Sequence, residues 1–188
     1  MRKRWIPSPN WNRRGQARVD AVVLHYTALP LNDTIARFTD KNSLVSAHFV
    51  IDRDGSVIQM VRTEHRAWHA GASRLGKEND VNDVSIGIEL VNWGPLRKKG
   101  DSFYVWKGNW SQRYQGEEPV RSGHDYWEPF TEEQYRALVE LLRELRVHHP
   151  EITRNRIKGH SEVCLPGGRK QDPGGGFDWE RVFEGVFA

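Results

Sequence analysis

The sequence predicts an α/β fold, a central mixed β-sheet flanked by α-helices, and three observations carry that prediction. Val19 to Tyr26 is a β-branched, apolar run of strand length. Asp83 to Val91 alternates, with Val84, Ile86, Ile88 and Leu90 on one face and Ser85, Gly87 and Glu89 on the other. Thr131-Glu132-Glu133-Gln134 is a capping box that opens an amphipathic helix striped by Tyr135, Leu138, Leu142 and Leu145. Alternating strand and helix patterns within 188 residues read as a single domain spanning 1–188.

In chain order, residues 1–18 are rich in Arg, Asn and Pro and read as an irregular arm over the surface. The strand ending at His25-Tyr26-Thr27 follows, then a short helix through Phe38 that Asn32 or Asp33 can cap. His48 to Asp52 and Ser56 to Val61 are strands around Asp54-Gly55, a strong hairpin signal. Residues 92–129 form a long polar, aromatic-rich insertion containing Trp93, Trp106, Trp110 and Trp127, and a loop of that length is usually functional. Pro150 ends the long helix, and the stretch from Gly159 to Gly176 is rich in Gly and Pro.

Composition narrows the function. The formal charge is +3, from 28 Lys+Arg against 25 Asp+Glu, too weak an imbalance to suggest a nucleic-acid partner. No apolar run is long enough to span a membrane, and Trp5-Ile6-Pro7 follows the basic Met1-Arg2-Lys3-Arg4 where a secretory signal would be apolar. The expectation is a monomer made in the cytoplasm, with no membrane insertion. A lone cysteine, Cys164, excludes an intramolecular disulfide.

The 8 histidines raise the question of a metal. His25 ends a buried strand, His160 opens the turn-rich tail, and Asp172 precedes Pro173-Gly174. Singly, each reads as structural: a core histidine, a turn histidine, an Asx-turn. Jointly they have the composition of a catalytic zinc site, with two imidazoles, one carboxylate and a fourth position for water. Glu89, on the polar face of its strand, suits a proton shuttle, and Lys170 suits an oxyanion partner. Taken alone, these two read more readily as an exposed strand glutamate and an ordinary surface lysine.

The motifs Val23-Leu24-His25-Tyr26-Thr27, Ser46-Ala47-His48-Phe49-Val50-Ile51, Ala67-Trp68-His69-Ala70-Gly71, Asn82-Asp83-Val84-Ser85-Ile86-Gly87-Ile88-Glu89, Gly159-His160-Ser161-Glu162 and Arg169-Lys170-Gln171-Asp172-Pro173-Gly174 occur in a telling order. With Asp54-Gly55 they resemble the type 2 zinc N-acetylmuramoyl-L-alanine amidases, relatives of the peptidoglycan recognition proteins, over roughly residues 5–180. The resemblance implies one zinc ion in a surface groove, held by His25, His160 and Asp172, with Glu89 as general acid/base and Lys170 stabilising the oxyanion. It implies hydrolysis of the amide between N-acetylmuramic acid and L-alanine in peptidoglycan or muropeptides. It places Trp68, His69 and Asn82 at the substrate, and leaves Cys164 as an alternative ligand that the intact Lys170-x-Asp172-Pro-Gly motif disfavours. The His160–Asp172 segment is longer than the family pattern, with the extra length in Leu165-Pro166-Gly167-Gly168, which bears on the groove rim.

Two roles fit such an amidase: a lytic, endolysin-type wall hydrolase or a recycling enzyme acting on anhydro-muropeptides. Leu44 and Asp80 stand where the recycling branch has arginines, so the sequence leans to the lytic role. A non-catalytic peptidoglycan-binding module is the rival from another class, disfavoured because every expected ligand is present.

Overall fold

A computed structural model describes residues 3–106 and 109–188. Met1 and Arg2 of the expected arm, and Lys107 and Gly108 of the insertion, lie outside the described residues. The strands are β1 (Lys3–Trp5), β2 (Trp11–Arg13), β3 (Ala21–Tyr26), β4 (Phe49–Ile51), β5 (Val57–Gln59), β6 (His65–Ala67), β7 (Ser85–Leu90), β8 (Pro95–Lys99), β9 (Ser102–Val105), β10 (Gln112–Arg113), β11 (Val120–Ser122), β12 (Asp125–Trp127) and β13 (Ile157–Gly159). The helices are α1 (Leu31–Thr39), α2 (Glu132–His148), the short α3 (His160–Val163) and α4 (Trp179–Phe187).

The central sheet has the order β1-β5-β4-β7-β3-β13. Strands β4, β7, β3 and β13 are mutually parallel, while β5 turns back antiparallel to β4 through the Asp54-Gly55 hairpin and carries β1 with it. The sheet is therefore mixed, as the sequence predicts. Its two faces follow from the period of two. Val22, Leu24, Phe49, Ile51, Ile86 and Ile88 pack against Leu138, Leu141, Leu142 and Leu145 of α2 and Val182 and Val186 of α4. Burying each of those leucines is worth roughly 1.5–3 kcal/mol, which makes this layer the main source of stability. The opposite face carries His25, Gly87 and Glu89 and is covered more thinly.

Local signals hold where they are strong. In the capping box of α2, Thr131 Oγ1 accepts from the Gln134 amide at 3.1 Å, and Gln134 Oε1 accepts from the Thr131 amide at 3.2 Å. Helix α1 differs from expectation: it is entered from Pro30, with no side-chain cap, so neither Asn32 nor Asp33 caps it. Helix α4 goes unread in the sequence although Asp178 caps it and Trp179, Val182, Phe183, Val186 and Phe187 recur at helical spacing.

Two larger expectations are corrected. The arm is not irregular: β1 pairs with β5 at the edge of the central sheet, and β2 pairs with β6. Arg14 then buries its guanidinium among the carbonyls of Asn82, Asp83, His65 and Ser85, at 2.6–3.0 Å. Backbone acceptors from two segments far apart in the chain stitch the arm down, a contact no local pattern announces. The insertion is not a loop: β8 to β12 form a second, antiparallel sheet of order β10-β9-β8-β12-β11.

Candidate metal centre

The register of the parallel strands builds the site. His25 on β3 lies directly across from Glu89 on β7, so residues 64 apart share one face. Strand β13 flanks β3 on its other side, with Gly159 opposite Leu24, so His160 emerges beside His25. All three side chains therefore stand at the carboxyl ends of parallel strands, where α/β sheets characteristically bind ligands. Asp172 is brought in by the tail: its carbonyl accepts from the Ser161 amide at 3.0 Å, and Pro173 closes over Gly159, where a Cβ would sit 2.7 Å from the proline Cδ.

His25 Nδ1, His160 Nδ1 and Asp172 Oδ2 converge, with separations of 3.0 Å between the nitrogens and 2.8 and 3.0 Å to the carboxylate oxygen. All three residues are buried. Their tautomers follow from their outer partners. His160 Nε2 donates to the Ala70 carbonyl at 2.9 Å, which leaves Nδ1 as a bare lone pair. Ser85 Oγ donates to the Val81 carbonyl at 2.6 Å and so accepts from His69 Nε2 at 3.3 Å. His69 Nδ1 must then accept from His25 Nε2 at 3.1 Å, which leaves His25 Nδ1 bare as well. Burial pushes the His25 imidazole below its ordinary pKa, so the ring is neutral.

Three lone-pair donors, one of them anionic, thus face each other with no proton between them. Such a set is mutually repulsive unless a cation sits among them. Two imidazole nitrogens and a carboxylate oxygen are donors suited to zinc, and their spacing is a few tenths of an ångström under the ~3.3 Å edge of a tetrahedron with ~2.0–2.1 Å arms. The residues fit a catalytic zinc ion. Cys164 is not part of the cluster: its Sγ faces the carbonyls of Ser161 and Pro166.

The cluster forms one end of a cavity of about 440 Å³ that is also lined by Tyr26, Arg37, Glu89, Arg169 and Lys170. Burial raises the Glu89 carboxyl to about 8, the negative Asp172 adds to this, and Lys170 and Arg37 oppose it. Glu89 Oε2 is buried with no hydrogen-bond partner among the described residues. Lys170 is exposed at the cavity wall. Gly168 also lines it, so the Leu165–Gly168 segment does reach the rim. Arg37, on α1, is a cavity residue that sequence reasoning missed; its only signal was a cation in the last turn of the helix.

The three expected substrate contacts stand elsewhere, and none lines this cavity. Asn82 is 4% exposed, and its side-chain oxygen accepts from the His69 and Ala70 amides at 3.0 and 2.9 Å. It thereby holds the turn whose Ala70 carbonyl orients His160, which is a positioning task. His69 is half-buried with both ring nitrogens committed behind His25, and it lies flat on β7, where a Cβ at Gly87 would meet its ring at 2.4 Å. Trp68 Nε1 donates to Asn12 Oδ1 at 2.8 Å and ties down the arm.

His48 is fully buried, accepting from the Gly87 amide through Nδ1 and lying 3.0 Å from the His65 carbonyl through Nε2. Burial, helped by the Arg14 charge, lowers its pKa to about 3. An unfolded histidine titrates near ~6.5, so below that pH the unfolded chain takes up a proton that the fold refuses. Stability is then lost progressively as pH falls from about 6.5 toward 3. The expected outcome for zinc-free protein is that His48→Gln loses about 2 kcal/mol less than the wild type between pH 7 and pH 5 in urea melts. Parallel pH profiles for the two proteins would contradict the assignment.

Known proteins share this fold. Residues 15–175 match the family described as N-acetylmuramoyl-L-alanine amidase. A 1,6-anhydro-N-acetylmuramyl-L-alanine amidase, AmpD of Haemophilus influenzae, is 31% identical over 97% of this chain and 91% of its own length. The crystal structure of a selenomethionine AmpD derivative superposes with a TM-score of 0.72 at 30% identity, covering 98% of this chain and 94% of that one. AmiD of Escherichia coli, solved with anhydro-N-acetylmuramic acid-L-Ala-D-γ-Glu-L-Lys, gives a TM-score of 0.70 at 27% identity, over 96% of this chain and 60% of that one.

Proposed function

The chain belongs to the N-acetylmuramoyl-L-alanine amidase family, and from that premise we propose that it is a zinc-dependent amidase of soluble anhydro-muropeptides, cleaving the amide between the muramyl lactyl group and L-alanine. The observation that carries the chemistry is the convergence of three unprotonated donors beside a buried carboxyl with a free oxygen. The substrate class follows the relatives, which are named for or bound to anhydro-muropeptides. The lytic role toward which the sequence leans therefore gives way to the recycling one, and a cytoplasmic location goes with that reading. Absence of arginines at positions 44 and 80 is a weaker guide, because Arg37 and Arg169 bring cations to the cavity from other elements.

His25, His160 and Asp172 would hold a zinc ion, which when bound would supply Lewis-acid activation of water and of the scissile carbonyl. Glu89, which a bound dication beside Asp172 would favour in its ionised form, accepts a proton from the attacking water as the water oxygen bonds to the lactyl carbonyl carbon. The Lys170 ammonium stabilises the negative charge that develops on the carbonyl oxygen. Glu89 then returns the proton to the alanine nitrogen as the C–N bond breaks, leaving a lactyl carboxylate and a free amino terminus. His69 and Asn82 keep the two imidazoles in their metal-facing tautomers.

The test measures release of free N-terminal L-alanine from an anhydro-muropeptide and from purified sacculi, with a chelator and after zinc is restored. Chelator-sensitive, zinc-restored release, much faster from the anhydro-muropeptide, is the expected result. Faster release from sacculi would return the protein to a lytic role. Zinc binding with no cleavage of either would make it a recognition module.

A further inference from the structure

Beyond the metal centre lies a second cavity, of about 370 Å³, lined by Tyr26, Ala28, Trp93, Pro95, Trp106 and Trp110. Tyr26 and Ala28 also line the catalytic cavity, so the two spaces share a wall. We infer that this aromatic cavity is a sugar subsite of the same groove, which takes a pyranose ring on the muramyl side of the scissile amide. The inference rests on the amidase reading and extends it to residues of the insertion.

Three observations support it. First, the insertion is keyed to the catalytic strand. A Cβ on Gly94 would come within 2.5 Å of the Tyr26 ring, Trp127 packs edge-on to Tyr26 at 6.4 Å, and a Cβ on Gly174, two residues past Asp172, would meet Trp127 at 2.4 Å. The second sheet is therefore a fixed wall of the groove. Second, the chemistry is that of a sugar platform. Trp106 and Trp110 stand 5.3 Å apart at 58°, and Trp106 is 48% exposed, presenting flat apolar faces that suit the C–H faces of a pyranose. The volume is within the ~300–1,000 Å³ of small-ligand sites. Third, charge sorts the two ends of the substrate. Among the described residues, none that lines the aromatic cavity is charged, whereas Arg37, Arg169 and Lys170 line the catalytic one. A muropeptide has a neutral glycan end and a carboxylate-bearing peptide end, and only one orientation matches both.

The test uses the zinc-loaded protein and the double variant Trp106→Ala/Trp110→Ala. Chitobiose serves as the sugar probe, followed by tryptophan fluorescence. An anhydro-muropeptide and an N-lactoyl dipeptide lacking the sugar serve as paired substrates. Saturable chitobiose binding by the wild type is expected. In the variant, the preference for the sugar-bearing substrate, as a ratio of KM values, is expected to fall about tenfold, equivalent to ~1.4 kcal/mol. No chitobiose response in the wild type would overturn the inference, as would an equal loss on both substrates in the variant. If the wild type cleaves neither substrate, the amidase reading has failed, and the chitobiose titration alone then decides whether the cavity binds sugar.

Discussion

Glu89→Gln lowers kcat by ~10²–10⁴-fold, the range for loss of a general acid/base, with zinc content unchanged. The amide keeps the shape of the carboxyl but can neither take the proton from water nor carry it to the alanine nitrogen. Its site tolerates a neutral group, because Glu89 is already driven toward neutrality by burial and by Asp172. The fold should therefore be at least as stable in the variant. The measurement pairs steady-state turnover of an anhydro-muropeptide with metal analysis of the same sample. A variant that retains turnover would remove Glu89 from the mechanism, and one that loses zinc would make it part of the metal's support.

Removing Asp172 acts on the metal itself. In the wild type, zinc at about a hundred times its Kd adds ~2.7 kcal/mol of stability, which for a domain of this size raises Tm by ~5–10 °C. Asp172→Ala deletes the one anionic donor from the cluster. Its zinc affinity is expected to fall by more than the ~10–100-fold typical of losing an outer partner of a ligand. The zinc-induced rise in Tm then disappears at the same metal concentration, and activity goes with it. Differential scanning calorimetry with and without zinc reads this directly. An undiminished rise would place the metal elsewhere.

Much of the site is legible in the sequence because its parts sit on elements with strong local periods. Strand β7 alternates cleanly, so Glu89 is assigned to the face opposite Ile86 and Ile88 without any tertiary information. His25 closes an apolar strand, and the motif around Asp172 is intact. The Asp54-Gly55 hairpin and the Thr131–Gln134 capping box are local hydrogen-bond chemistry, and both form. Asn82 and His69 are another matter. Their residue types are compatible with touching substrate, and only the positions of the Ala70 carbonyl, Ser85 and Gly87 show that they face inward, packed and hydrogen-bonded behind His25 and His160.

The insertion shows why the rest is hidden. Strands β8, β10 and β11 are mostly exposed and β9 and β12 are largely half-buried, so little apolar alternation marks them, and a two-sided polar strand looks like a loop. The arm is hidden for a related reason: Arg14 reads as one more surface cation until acceptors from the Thr63–His65 and Asn82–Ser85 segments surround it. Local pattern suffices for the elements whose side chains repeat with the period of a helix or strand, and residue chemistry alone marks His25, His160 and Asp172 as donors suited to zinc. Only long-range contacts set the register that puts His25 beside Glu89, the tautomers that bare both Nδ1 atoms, and the joining of the tryptophan wall to the groove. Those depend on partners far apart in the chain, and hydrogen bonding and packing between such partners leave no periodic trace.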